Sequence, residues 1–191
     1  SDTFVAGILY MYILASASPR RKELLNLITT DFKIIPSGEE ETVPNNIPPE
    51  KQPEYLARLK ALSVSRNYPE YTVIGADTSV IADCKILGKP KNRSEARDMI
   101  TALSGSTHKV ITGCAIVKKG VCRSFSKETL VEFYALDERE IEEYISTDEP
   151  YDKAGAYGIQ GRGALLVKGI KGDYFNVVGL PVAALKRELG V

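Results

Sequence analysis

Residues 110–133 read VITGCAIVKKGVCRSFSKETLVEF. Val110–Val117 and Val121–Phe133 alternate apolar and polar residues on either side of Lys118–Gly120, which predicts two antiparallel strands joined by a tight turn. A hairpin this long does not belong to a purely parallel sheet. The chain N-terminal to it nevertheless alternates strands and helices. Leu9–Ala15 reads as a buried strand. A helix follows from Pro19, a residue suited to a first turn, through Arg21, Leu24, Leu25 and Ile28. Phe32–Ile35 reads as a second strand. After a Pro- and Glu-rich loop, 36–53, a helix carries Leu56, Leu59 and Leu62 on its expected apolar side. Val73–Asp77 reads as another buried strand, and Ser79–Gly88 as a hairpin turning near Asp83. A helix over Ser94–Leu103, with Ser94 as N-cap, leads into the long hairpin.

On its C-terminal side, Asp137 and Glu140 form a D-x-x-E capping box that opens a helix through Ile141 and Tyr144. Glycines crowd residues 155–163. Ala164–Ile170 and Tyr174–Val178 read as a strand pair around Lys171–Gly172. A helix over Pro181–Leu189 ends at Gly190. The sum is a mixed α/β fold, with strands too interleaved with hairpins for a simple doubly wound sheet.

Composition excludes several functions. The 191 residues carry 25 Lys+Arg against 25 Asp+Glu, so the chain lacks the positive balance of a general nucleic-acid coat protein. A single histidine rules out a His-rich metal site, so any metal must be held mainly by oxygen. Cys84, Cys114 and Cys122 are an odd set without C-x-x-C spacing, which fits a reduced, cytoplasmic setting. No apolar run reaches the ~18–20 residues of a membrane span. The opening SDTFVAGILYMYILAS lacks the basic start of a signal peptide and runs straight into a charged helix. Residues 1–10 read as an appended remnant foreign to the domain or as a genuine N-terminal extension, and residues 11–191 as the domain itself.

Five clusters could carry chemistry. Ser16-Ala17-Ser18-Pro19-Arg20-Arg21 sets hydroxyls and guanidiniums between a strand and a helix, a combination suited to phosphate; the alternative is a capped helix with solvated arginines. Gly75-Ala76-Asp77-Thr78 puts a carboxylate at a strand end, where α/β folds gather ligands, unless Asp77 merely caps a turn. Lys89 of Gly88-Lys89-Pro90 could set an ammonium on a phosphate, although no P-loop is present. Glu39-Glu40-Glu41 could supply a carboxylate to Mg²⁺, and Lys60 could point into a cleft or snorkel. Tyr151–Ala164 is a glycine-dense segment in which backbone can approach a ligand closely, and Gln160 offers it an amide donor and acceptor. His108 beside Ser104 and Ser106 invites a hydrolase triad, but there is no G-x-S-x-G elbow and no evident orienting acid.

Taken in order, ILASASPRRKELL, VIGADTSV, LGKP, LSGSTHKVITG and YDKAGAYGIQGRGA resemble the Maf family, described as nucleoside triphosphate pyrophosphatases, some of them called septum-formation inhibitors. The similarity runs from about Ile13 to the last helix. It implies a single α/β domain with two lobes around a cleft, divalent-metal dependence (Mg or Mn), often a homodimer, and the reaction NTP + H₂O → NMP + PPi. On this resemblance Asp77 is the catalytic residue. Ser16, Ser18, Arg20, Lys60 and Lys89 face the substrate, with Arg21 beside them, and Glu41 is the acidic residue after the second strand. Arg20, Thr78 and Gln160 match the branch that acts on dTTP and UTP rather than 7-methyl-GTP. The implied role is removal of unwanted or modified nucleotides. The alternatives are a nucleotide-binding regulator of cell division without turnover and, among enzymes, an inosine/xanthosine triphosphate pyrophosphatase.

Overall fold

The computed structural model describes residues 11–191. Leu9 and Tyr10 of the first expected strand, and the whole of the 1–10 segment, lie outside the described residues. The sheet has seven strands. Five are β1 (Tyr12–Leu14), β2 (Phe32–Ile34), β3 (Thr72–Ala82), β5 (Thr107–Lys118) and β6 (Val121–Phe133). β7 (Val167–Lys171) forms one edge, and β4 (Lys85–Leu87) pairs with the far end of β3. The order is β2-β1-β3-β5-β6-β7. β2, β1 and β3 are parallel, and every other pairing is antiparallel. The switch falls between β3 and β5, and the long β5–β6 hairpin forms the body of the antiparallel half. Its turn uses Lys119 and Gly120, both at positive φ, the geometry that matches strand twist.

Side-chain alternation divides the core. Leu14, Ile74, Ala76, Cys114 and Ile116 face one side of the sheet, where helices α1 (Pro19–Leu25) and α6 (Val182–Leu189) cover them with Leu24, Leu25 and Leu185. Ile13, Ala15, Val73, Ala115 and Val117 face the other side, against helix α2 (Gln52–Ser65). The far ends of β3, β5 and β6 carry a separate cluster, Val80, Val110, Val131 and Phe133. It is closed by α3 (Arg93–Leu103), α4 (Glu138–Ile145) and the glycine-dense loop. These are the two lobes, and β3 runs through both.

The structure corrects several expectations. The strand expected to end at Asp77 and the one expected from Ser79 are a single continuous β3, so Asp77 lies mid-strand and not at a strand end. The strand expected over Ala164–Ile170 starts only at Val167, after a 3₁₀ turn over Gly161–Leu165. α2 buries Pro53, Ala57, Ala61 and Val64, while Leu56, Leu59 and Leu62 are only partly covered. Small residues win that face because the sheet presents Gly75 and Gly113 to it: a Cβ on Gly75 would overlap the Ala57 carbonyl, and one on Gly113 the backbone of Glu54. α3 is capped by Asn92, whose side chain accepts from Glu95 N–H at 2.9 Å, rather than by Ser94. Tyr174–Val178 is the short helix α5 and not a strand, because the Asp173 carboxylate accepts from both Phe175 and Asn176 N–H. The capping box at Asp137 and Glu140 and the left-handed Gly190 stop are present as expected.

Candidate active site

Asp77 and Thr78 sit where β3 passes from one lobe to the other. The lobes leave a cavity of about 610 Å³ over this point. Its lining includes Ser18, Arg20, Arg21, Glu41, Lys60, Asp77, Thr78, Lys89 and Gln160, so all the sequence-derived candidates except Ser16 reach the wall. Ser16 lies one layer behind, buried, with its Oγ accepting from Ser18 N–H at 3.2 Å and from Arg21 Nη1 at 3.3 Å.

The floor is an ionic cluster. Lys60 comes off α2 because the Ala57/Ala61 face brings that helix close against Gly75, and it points into the cleft. Its Nζ lies 2.7 Å from Asp77 Oδ1 and 2.9 Å from Glu41 Oε1. Of the three consecutive glutamates, Glu41 is the one at the floor; Glu39 turns away to Arg66. Burial raises the Asp77 carboxyl above its ordinary range, against the pull of Lys60 and Arg21 and with some help from Glu41.

Arg21 braces this floor. Nε donates to Gly179 O at 2.9 Å, Nη2 to Thr78 Oγ1 at 3.0 Å and Nη1 to Ser16 Oγ. Burial lowers its pKa, opposed by Asp77. Three of its five N–H donors are thus spent on the protein. Ser18 is similarly committed, its Oγ capping α1 at Arg21 N–H, 3.4 Å away.

The opposite wall is formed by the loop after β4 and the glycine-dense loop. Lys89 is exposed in the loop between β4 and α3 and makes no ion pair among the described residues. Arg20 Nη1 lies 3.5 Å from Asp152 Oδ2, an exposed pair, and Lys153 Nζ lies 2.7 Å from the other Asp152 oxygen. Gln160 projects from the glycine-dense loop. Glu149 holds that loop: its carboxylate accepts from Arg162 N–H at 2.9 and 3.1 Å. Gly161 is at φ +64°, and a Cβ there would overlap Glu149 Oε1. Glu149, Asp152 and Lys153 carried no role in the sequence reading. The Asp152-Lys153 pair lay in the quoted segment, but only the fold sets it beside Arg20.

His108 is not part of the cleft. It is buried, its Nε2 2.6 Å from Tyr157 OH, with edge-on contacts to Phe133 and Tyr157. That environment gives no serine nucleophile to activate. Among the described residues no cluster of three or more His, Cys, Asp or Glu forms a self-contained metal cage. The cleft instead offers Asp77 and Glu41, two carboxylates converging on one point. Hard divalent ions accept one or two such ligands and complete their shell with water and phosphate oxygens, so this donor set fits Mg or Mn.

An α/β domain whose interlobe cleft joins paired carboxylates to basic side chains from both walls is built to hold a polyanion. The chain belongs to the Maf family: the model described as Maf-like protein matches residues 11–190. It is 51% identical over 178 residues to a dTTP/UTP pyrophosphatase of Bacillus cytotoxicus, and 50% identical over 177 residues to one of Bacillus cereus. Each alignment covers 93% of both chains. The solved structure of a HAM1 protein from Coxiella burnetii shares the fold at 13% identity, with a TM-score of 0.54, covering 95% of this chain and 99% of that one. No helix among the described residues is long and apolar enough to cross a membrane.

Proposed function

We propose that this chain hydrolyses dTTP and UTP to the monophosphate and pyrophosphate in the cytoplasm, so clearing unwanted or modified nucleotides. The observation that carries the reading is the convergence of Asp77, Glu41 and Lys60 at the floor of a cleft whose walls supply Arg20, Lys89 and Gln160. The relatives' names and the near-complete alignments support the substrate class.

The chemistry follows from charge. Cleavage between the α and β phosphorus atoms builds negative charge on the departing pyrophosphate. Lys89 and Arg20 reach the cavity with basic groups to offset it. Asp77 accepts the proton of the attacking water. A divalent ion on Asp77 and Glu41, when bound, supplies further positive charge to the phosphates. Arg21 keeps Thr78 and the middle of β3 in place. Gln160 faces the base: its N–H₂ donates to a pyrimidine carbonyl, while its carbonyl accepts N3–H of uracil or thymine.

A nucleotide panel scored for pyrophosphate release, with and without Mg²⁺, tests the reading. Release from UTP and dTTP in preference to purine triphosphates supports it. Tight binding of UTP with no pyrophosphate released would instead make the chain a sensor.

A further inference from the structure

The floor of the cleft is already neutral before any ligand arrives. The negative charges of Asp77 and Glu41 are matched by Lys60, which touches both, and by Arg21, held close by Ser16, Thr78 and Gly179. The ammonium holds one oxygen of each carboxylate, Asp77 Oδ1 and Glu41 Oε1, and so lies between the two groups a metal would use. The Lys60 side chain is only 12% exposed and that of Asp77 14%. A divalent ion entering alone would have to push Lys60 aside, and would leave two cations and a guanidinium crowded in a half-buried site with no added anion. Such uncompensated charge is strongly disfavoured away from bulk water. A triphosphate reverses the balance. It brings several negative charges at once, and the flexible four-carbon stem of Lys60 lets the ammonium move from carboxylate to phosphate.

We propose that Lys60 is the resident counter-ion of the Asp77–Glu41 pair in the free protein, so that the divalent ion enters together with the triphosphate and not before it. This rests on the reading of the cleft as a metal-assisted pyrophosphatase site. It makes Lys60 a guard against metal capture as well as a phosphate contact.

Equilibrium dialysis against Mn²⁺ tests it by the metal retained per chain. Three states are compared: the wild-type protein alone, the wild type with a UTP analogue whose α–β bridging oxygen is a methylene, and the free variants Lys60→Met and Lys60→Gln. Methionine keeps the stem without the charge; glutamine is the second variant should methionine disturb folding. The expected result is one Mn²⁺ retained with the analogue and at least tenfold weaker retention by the free wild type. Either variant alone should bind Mn²⁺ at least tenfold more tightly than the free wild type. Equal retention by the wild type with and without analogue would overturn the proposal, as would variants that bind no more tightly than wild type. Retention in no state, with UTP still converted to pyrophosphate, would remove both the proposal and the metal assignment but leave the pyrophosphatase reading. Absence of pyrophosphate release would remove that reading itself.

Discussion

The guanidinium of Arg21 donates from Nη2 to the hydroxyl of Thr78 at 3.0 Å, and this contact fixes what Thr78 can do. Thr112 Oγ1 donates to Asn176 O at 2.9 Å, so its single proton is spent. Thr112 therefore accepts from Thr78 across their 2.8 Å contact. Thr78 receives from Arg21, gives to Thr112, and keeps one acceptor site for a ligand. Thr78→Val removes this relay while preserving shape, and is expected to lower kcat/KM for UTP about tenfold, the scale of a lost hydrogen bond to a charged group. Thr78→Ser should restore most of it. Equal loss in both variants would point to packing instead.

Asp77→Asn is expected to fold, to bind nucleotide, and to lose at least ~10²-fold in turnover, the contribution of a positioned general base. Because burial raises the Asp77 pKa and the base must be ionised, kcat/KM should fall as pH drops through a value above the ordinary carboxylate range. An acid limb at or below that range, measured for the wild type, would contradict the role.

Gln160→Glu should compress the preference for UTP and dTTP over GTP by about tenfold or more, since a carboxylate can only accept and would face a pyrimidine carbonyl. If Gln160 only stiffens its loop, all nucleotides would slow alike and the ranking would stand.

His108 supplies a stability test independent of activity. Burial lowers its pKa from 6.5 to about 4. The unfolded chain therefore takes up a proton that the folded chain refuses between those values. The stability from holding His108 neutral is complete above pH 6.5 and is lost as pH falls to about 4, an effect on the order of 3 kcal/mol. Urea unfolding from pH 7 to 4 should show this slope in the wild type and a shallower one in His108→Gln.

Much of this was legible in the sequence. The long hairpin around Lys119–Gly120 and the capping box at Asp137 follow from local pattern, and the approach of Asp77, Lys60, Lys89 and Gln160 to one cleft is what the resemblance to the Maf family implied. What failed was decided by contacts far along the chain. The Leu56/Leu59/Leu62 stripe looked like the buried face of α2, but Gly75 and Gly113 admit only the alanine face. Tyr174–Val178 has strand-like composition. Asp173 capping and the burial of Asn176, whose amide donates to Val110 O and Thr129 Oγ1, override it. The pairing of Arg20 with Asp152, and of Glu149 with the backbone at Arg162, depends on how the glycine-dense loop folds back, which periodicity does not encode.

Gly75 is the position where that packing can be tested. Gly75→Ala should destabilise the protein by about 1–3 kcal/mol, the usual range for overpacking, because the added methyl meets backbone rather than a movable side chain. It should also reduce turnover, since α2 carries Lys60 to Asp77. A shift in urea midpoint beside wild-type activity would separate the fold from the site.

The most direct measurement is ³¹P NMR of UTP incubated with the wild-type protein and Mg²⁺. The expected spectrum shows UMP and pyrophosphate growing together in equal amounts, and neither forming with Asp77→Asn. Orthophosphate appearing with UDP would contradict cleavage at the α–β bond and with it the assigned reaction.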